Sequence, residues 1–198
     1  MLEHVSRVAE RRDALRRALP GIIPAGSRLV WEVGSGHGHF LTAYAAAHPD
    51  EHCVGIDISS DRIARAERKR ARARLGNLHF MRADAEDFLA AMPKEARFTA
   101  IFMLFPDPWP KRRHRRNRVM QPAFLTAAAA AAGQGARLYF RTDHEPYFSE
   151  AAEAVRTHPQ WDVSDPAAWP FEEPTVFQKR AERHFSLVAI LRSATRSP

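Results

Sequence analysis

The chain has one cysteine in 198 residues, Cys53, set in an apolar run. An internal disulfide is therefore excluded, and the lone thiol fits a reducing compartment. Nowhere do eighteen apolar residues follow one another, so no membrane-spanning helix is expected. The first residues, MLEHVSRVAERRDALRRAL, lack the apolar core of a secretory signal. Glu3, Glu10 and Asp13 separate them from acid-poor transit peptides, and a cytoplasmic protein is the expectation. No internal repeat and no Pro/Gly/Ser-rich linker divides the chain. At 45% hydrophobic residues it can bury one substantial core, and a single domain over 1–198 is expected.

Acid is what the most basic stretch lacks. The formal charge is +7 and the sequence pI about 10.3, which favours a nucleic-acid partner. The excess is concentrated in Lys111, Arg112, Arg113, Arg115, Arg116 and Arg118, with no acid between them. Two further Arg-rich regions, 7–17 and 62–74, carry acids at helical spacing and read mainly as solvated helix faces, with phosphate contact the lesser reading. Metal ligation is not expected at His37 and His39, since no further ligand stands at compatible spacing. His114 and His144 are read the same way, as loop packing. No Ser/His/Asp or Cys/His set is arranged for covalent catalysis.

What is there alternates. An amphipathic helix over about 4–19 closes at Pro20-Gly21. Apolar runs at 28–33, 53–58, 78–82, 98–104 and 136–141 read as strands, each followed by a helical pattern. Ser60 is a plausible N-cap for the second of those helices. The alanine-rich helix from Gln121 to Ala132 is expected to stop at Gly133-Gln-Gly135. Short strands near 161–163 and 185–191 end the chain. Five strand–helix alternations imply an α/β fold with a doubly wound, mostly parallel sheet. Glycines 34–38, Asp57, Asp84, Asp107 and Asp143 then all fall at strand carboxyl ends, the edge where such sheets bind ligands.

The run Glu32-Val-Gly34-Ser35-Gly36-His-Gly38 joins a strand to a helix, where glycines let a ligand approach the backbone and the helix start offers free N–H groups. Asp57 comes 21 residues after Gly36, where a carboxylate can take both hydroxyls of a ribose. That spacing also suits a nicotinamide dinucleotide, but its fingerprint wants glycine where His39 stands. The fourth strand ends in Phe105-Pro-Asp-Pro-Trp-Pro110. Its prolines cannot join a ladder, so a stiff loop must carry Asp107 away beside the cationic run.

An acid before G-x-G-x-G resembles the first motif of class I S-adenosyl-L-methionine-dependent methyltransferases. The stretch FPDPWPKRRHRRNRVMQPAFL closely resembles the signature of the bacterial tRNA (guanine-N7-)-methyltransferases. The likeness continues through Thr142-Asp143 and, less specifically, Thr175-Val-Phe-Gln-Lys-Arg180. It covers about 28–191 and implies a Rossmann-like methyltransferase fold with an antiparallel C-terminal strand. It further implies that 28–145 is a donor-binding half and 146–198 a substrate-side part. The implied donor is S-adenosyl-L-methionine and the implied partner tRNA, methylated at guanine-46 of the variable loop, with no membrane and no obligate protein partner.

Carried over by motif, Glu32 serves the methionine end of the donor, Gly34, Ser35 and Gly36 the loop, Asp57 the ribose, and Asp84 with Ala85 the adenine. The resemblance makes Asp107 the expected catalytic carboxylate, also close to the donor. Lys111, Asp143, Thr175 and Gln178 meet the substrate, and Arg112, Arg113, Arg115 and Arg116 meet RNA phosphates. The chain departs from the family pattern at Ser35 and His37 in the loop, at Asp57 where Glu is usual, and at Gln178, where a carboxylate is usual.

Overall fold

The structure is a computed structural model that describes residues 2–24, 26–165, 169–173 and 183–193. One seven-stranded sheet runs in the order β3-β2-β1-β4-β5-β7-β6. Its strands are β1 (Arg28–Val33), β2 (His52–Asp57), β3 (Leu78–Arg82), β4 (Arg97–Leu104), β5 (Ala132–Thr142), β6 (Trp161–Ser164) and β7 (Phe185–Leu191). The first five are parallel, and β7 enters antiparallel between β5 and β6. This is the mixed, mostly parallel sheet expected. The helices α2 (His39–Ala47), α3 (Ser60–Ala73), α4 (Ala85–Ala91) and α5 (Pro122–Ala131) lie in the four parallel crossovers. α1 (Leu2–Ala18) precedes them and α6 (Glu145–Arg156) follows β5.

β1 and β2 are buried along their length after the first residue, as strands covered on both faces must be. One core lies under α1, α4, α5 and α6, with Trp31 stacked against Phe88 and Phe98 at ring-centroid distances of 5.1 and 5.0 Å. The opposite core gathers Phe40, Leu41 and Tyr44 from α2, Ala66 from α3, and Phe102 and Tyr139 from the sheet. Trp169 and Phe171, from the irregular segment 169–173, pack over this second face beside α2.

Three local expectations are corrected. The cap of α3 is Ser59, whose hydroxyl accepts from the Arg62 N–H, not Ser60. Adjacent serines look alike in sequence, and only the extended backbone of Ser59 makes it the cap. α5 ends at Ala131, and β5 begins at Ala132 instead of 136. Ladder partners jump from Phe98↔Ala132 to Ala100↔Arg137, so Gly133 and Gly135 sit in a bulge within the strand. The arginines of 7–17 are not simply a solvated face. Arg11 and Arg12 donate to Asp87 at 3.0 and 2.6 Å, and Arg12 also to Glu86, docking α1 on α4.

From β1 the chain moves to β2 and β3 on one side, then returns to β4 and β5 on the other. The strand order therefore reverses between β1 and β4, and the crevice beyond their carboxyl ends is the ligand position of doubly wound sheets. Among the described residues no helix is long and apolar enough to cross a membrane.

Candidate active site

The loop after β1 is built by backbone conformation. Gly34, Gly36 and Gly38 have φ of 73°, 54° and 68°, in the left-handed region that a side chain disfavours. Among the described residues no atom lies within 4 Å of a Cβ built at Gly34 or Gly36, which leaves this backbone open to a ligand. Gly38 is the packing glycine, since a Cβ there would stand 2.5 Å from the Phe80 ring. The loop is tied to β2, with Ser35 N–H donating to Ile56 O at 2.8 Å and Gly36 N–H to the Asp57 carboxylate at 3.1 Å. Asp57 is buried, also accepts from Ser59 N–H, and has Arg62 at 3.5 Å.

Glu32 lies one residue from the end of β1 and is 3% exposed. Burial pushes its carboxyl up to about 8; a hydrogen bond from the Leu41 backbone pulls it down, and nearby Asp57 adds to the rise. One Glu32 oxygen, the Ser35 hydroxyl and the Thr42 hydroxyl are buried without a hydrogen-bond partner. Leaving such atoms unpaired costs about 1–3 kcal/mol each, a cost that a polar ligand reaching them would remove. Orphaned acceptors beneath a bare glycine backbone, with a ribose-spaced carboxylate on the next strand, fit the donor named by the family resemblance. Asp84 caps α4 by accepting from Asp87 N–H at 2.7 Å and, with Ala85, stands at the end of the third strand on the same edge. Sequence reasoning missed Ile58. It follows Asp57 and is 67% exposed, an apolar side chain presented on this rim.

β4 lies directly beside β1, with Val33 opposite Met103, so Phe105 leaves the sheet level with the glycine loop. Strands are ~4.8 Å apart, which puts the start of the Asp107 loop on the same rim as Gly34. Phe105 and Trp109 adopt φ of 50° and 43°, rare and costly for bulky side chains. The surroundings hold them there. Phe105 N–H donates to Arg141 O at 2.7 Å, and the Arg118 guanidinium donates to Pro108 O at 2.7 Å from behind the loop. Asp107 itself is exposed and makes no hydrogen bond or ion pair with a described residue.

The cationic run forms a 3-10 turn, Arg112–Asn117, led by Lys111. Lys111, Arg112, Arg113, Arg115 and Arg116 are exposed, whereas Arg118 is 4% exposed and belongs to the scaffold. Arg118 stacks over Tyr147 and pairs with Glu150, which also holds Arg115 at 2.9 Å. Nothing in the sequence sets Arg118 apart from its neighbours, and its partners come from α6. Asp143 is exposed at the end of β5, beside buried Thr142. His144 caps α6 by accepting from Tyr147 N–H.

Arg141, at the end of β5, was also missed. It donates to both oxygens of Glu172 at 2.9 Å and to Ser186 Oγ at 2.9 Å, and lies 3.9 Å over the Trp169 ring. It thus fastens segment 169–173 to the edge that carries Asp107. Thr175 and Gln178 lie outside the described residues. Among the described residues no three His, Cys, Asp or Glu side chains form a metal-binding group.

A family model described as "Putative methyltransferase" matches residues 27–188. The tRNA (guanine-N(7)-)-methyltransferase of Chromohalobacter salexigens is 30% identical over 175 residues, covering 85% of this chain and 71% of its own length. That of Rhodospirillum rubrum is 33% identical over 152 residues, covering 75% and 59%. That of Alkalilimnicola ehrlichii is 30% identical over 154 residues, covering 78% and 62%. The chain thus spans between 59% and 71% of the length of these relatives. Among solved structures, TrmN from Thermus thermophilus superposes with a TM-score of 0.61 at 17% identity, over 91% of this chain and 48% of that one. The aminoglycoside resistance methyltransferase NpmB1 superposes with a TM-score of 0.58 at 18% identity, over 89% and 93%. At such identities the structures share the fold.

Proposed function

Because the chain belongs to the methyltransferase family that includes the bacterial tRNA (guanine-N(7)-)-methyltransferases, we propose that it methylates N7 of a guanine in tRNA, using S-adenosyl-L-methionine. The finer reading places that guanine at position 46 of the variable loop. The observation that carries the proposal is the shared rim. A stiff loop bearing a carboxylate with no described partner leaves the sheet level with a glycine loop whose buried polar atoms lack partners among the described residues.

The donor supplies an activated sulfonium methyl. Guanine N7 carries a lone pair and no proton, so in-line attack requires no general base and no metal ion. The protein's work is placement and charge. Glu32, Ser35 and the bare backbone of Gly34 and Gly36 hold the donor's polar end, Asp57 the ribose, and Ile58 with Asp84 and Ala85 the base. Asp107 stabilises the positive charge that moves onto the purine. A carboxylate ~4 Å from that charge contributes on the order of 4 kcal/mol at an effective dielectric of 20. Lys111 and Asp143 border the base, Thr175 and Gln178 complete the substrate side, and Arg112, Arg113, Arg115 and Arg116 take phosphates. These placements rest on motif position, together, for the described residues, with the burial, exposure and edge location given above; for Thr175 and Gln178 they rest on motif position alone.

The test is direct. Purified protein is incubated with unmodified tRNA and methyl-labelled donor, the RNA is digested, and the nucleosides are identified by mass. 7-Methylguanosine at one position is expected. A different methylated nucleoside, or none, overturns the proposal.

A further inference from the structure

α3 carries a stripe of cations for which the donor site has no evident use. Arg62, Arg65, Lys69 and Arg72 recur at intervals of three and four residues, which stacks them on one helix face. That face borders the glycine loop. Lys69 donates to His37 O at 3.1 Å, and Arg62 approaches Asp57. Burial lowers the His37 pKa, and Arg65, Arg62 and Lys69 lower it further. From the adjacent strand, exposed Arg82 donates to Ile58 O at 3.1 Å on the same rim.

The stripe differs from the other arginine-rich helix of this molecule. On α1, Arg11, Arg12 and Arg16 are matched by Asp87, Glu86 and Asp13. On α3, Glu67 turns to Arg70 and Phe80 N–H instead, and Asp61 makes no ion pair with a described residue. Arg65 and Arg72 make no ion pair with any described acid. Like charges at this spacing repel, and with no described acid paired to Arg65 or Arg72 the stripe costs stability unless a polyanion meets it. β2, which feeds α3, lies two strands from β4, which feeds the basic turn, so the two fields are rooted ~10 Å apart on opposite sides of the cleft.

We propose that the α3 stripe is a second phosphate track for the RNA whose guanine is methylated, so that the RNA straddles the cleft between α3 and the 112–117 turn. This inference rests on the tRNA reading above. It is tested by equilibrium binding of an unmodified tRNA transcript across a salt series, with methyl transfer measured separately. The variant is Arg65→Glu/Arg72→Glu, two positions outside the donor and guanine contacts. Arg17→Glu/Lys94→Glu, at the opposite edge of the sheet, makes the same change in net charge.

Loss of two phosphate contacts should make the slope of log K against log salt shallower by about 1.5–2 and weaken binding about tenfold or more near 0.1 M salt. The control pair should retain wild-type affinity and slope. Should the charge reversal impair folding, judged by circular dichroism and thermal midpoint, Arg65→Gln/Arg72→Gln gives the same readout with a smaller change. Wild-type slope and affinity in the α3 variant, or equal losses in the control pair, overturn the track. Binding that depends on the stripe without formation of 7-methylguanosine leaves the track standing and overturns the reaction.

Discussion

At the scale of single residues, two carboxylates of the candidate site have opposite surroundings. Asp107 is exposed and bonded to no described residue, so its removal should leave the fold intact. Asp107→Ala is expected to lower kcat by about 10²–10³, the usual cost of an electrostatic group at a reaction centre. Single-turnover assays with tRNA, with the thermal midpoint as fold control, check this. Glu32 is the reverse case. Its carboxyl ordinarily titrates near 4.5 and in the fold near 8, so the folded state holds the proton longer. The stability this contributes is complete below about pH 4.5 and is lost as pH rises through 8. Glu32→Gln, a permanently neutral mimic, should therefore exceed the wild type in stability above pH 8, by an amount on the order of a few kcal/mol. Donor affinity should fall in the same variant. Thermal scans across pH 6–9 and calorimetric donor titration read both: an unchanged pH profile removes the raised carboxyl, and unchanged donor affinity removes Glu32 from the donor site. Both positions are singled out in the sequence by the motifs around them. The protonation of Glu32 is not, because it arises from burial.

At the scale of elements, legibility depended on whether a boundary is local. β1, β3 and β7 begin and end where their apolar runs do. The start of β5 was misplaced because Gly133 and Gly135 read as a helix stop, whereas pairing with Phe98 draws Ala132 into the sheet. Gly55, within β2, shows how closely the elements meet at the site. A Cβ there would stand 2.6 Å from the Phe80 ring and 2.9 Å from Ser35 Cβ. Gly55→Ala should cost about 1–3 kcal/mol by overpacking and weaken donor binding as Ser35 shifts. Urea unfolding and donor titration measure both effects. Arg141 joins two elements, taking Phe105 N–H on its carbonyl and Glu172 on its guanidinium. Arg141→Met should raise KM for tRNA with donor affinity unchanged, and Arg141→Lys should restore part of the loss. An unchanged KM in the Met variant would show that segment 169–173 does not act on the substrate.

At the scale of the whole molecule, charge organises three regions in three ways. α1 is held to α4 through Asp87, the 112–117 turn is fixed through Arg118 and Glu150, and on the α3 stripe Arg62 meets Asp57 whereas Arg65 and Arg72 have no ion pair with a described acid. Burial raises the Asp87 pKa, but hydrogen bonds from Arg12 and Arg11 outweigh it and the net shift is downward. The stability from this contact is complete above the ordinary carboxylate value of 3.8 and is lost as pH falls through the depressed one. Asp87→Asn should therefore lower the thermal midpoint at pH 7 and narrow its difference from wild type in strong acid. A constant difference across that range would remove Asp87 as the docking contact.

The parallel sheet, the rim bearing the glycines and aspartates, and the motif that points to the family were determined by the sequence alone. Each is written within a few neighbouring residues, where apolar period, glycine freedom and proline geometry act locally. Only the tertiary structure decided which arginines are scaffold and which are surface, where β5 begins, and that Arg141 fastens the 169–173 segment. Those outcomes depend on partners 30 or more residues away, such as Glu150 for Arg118 and Glu172 for Arg141. No local pattern encodes them, because burial and pairing exist only once the chain has closed on itself.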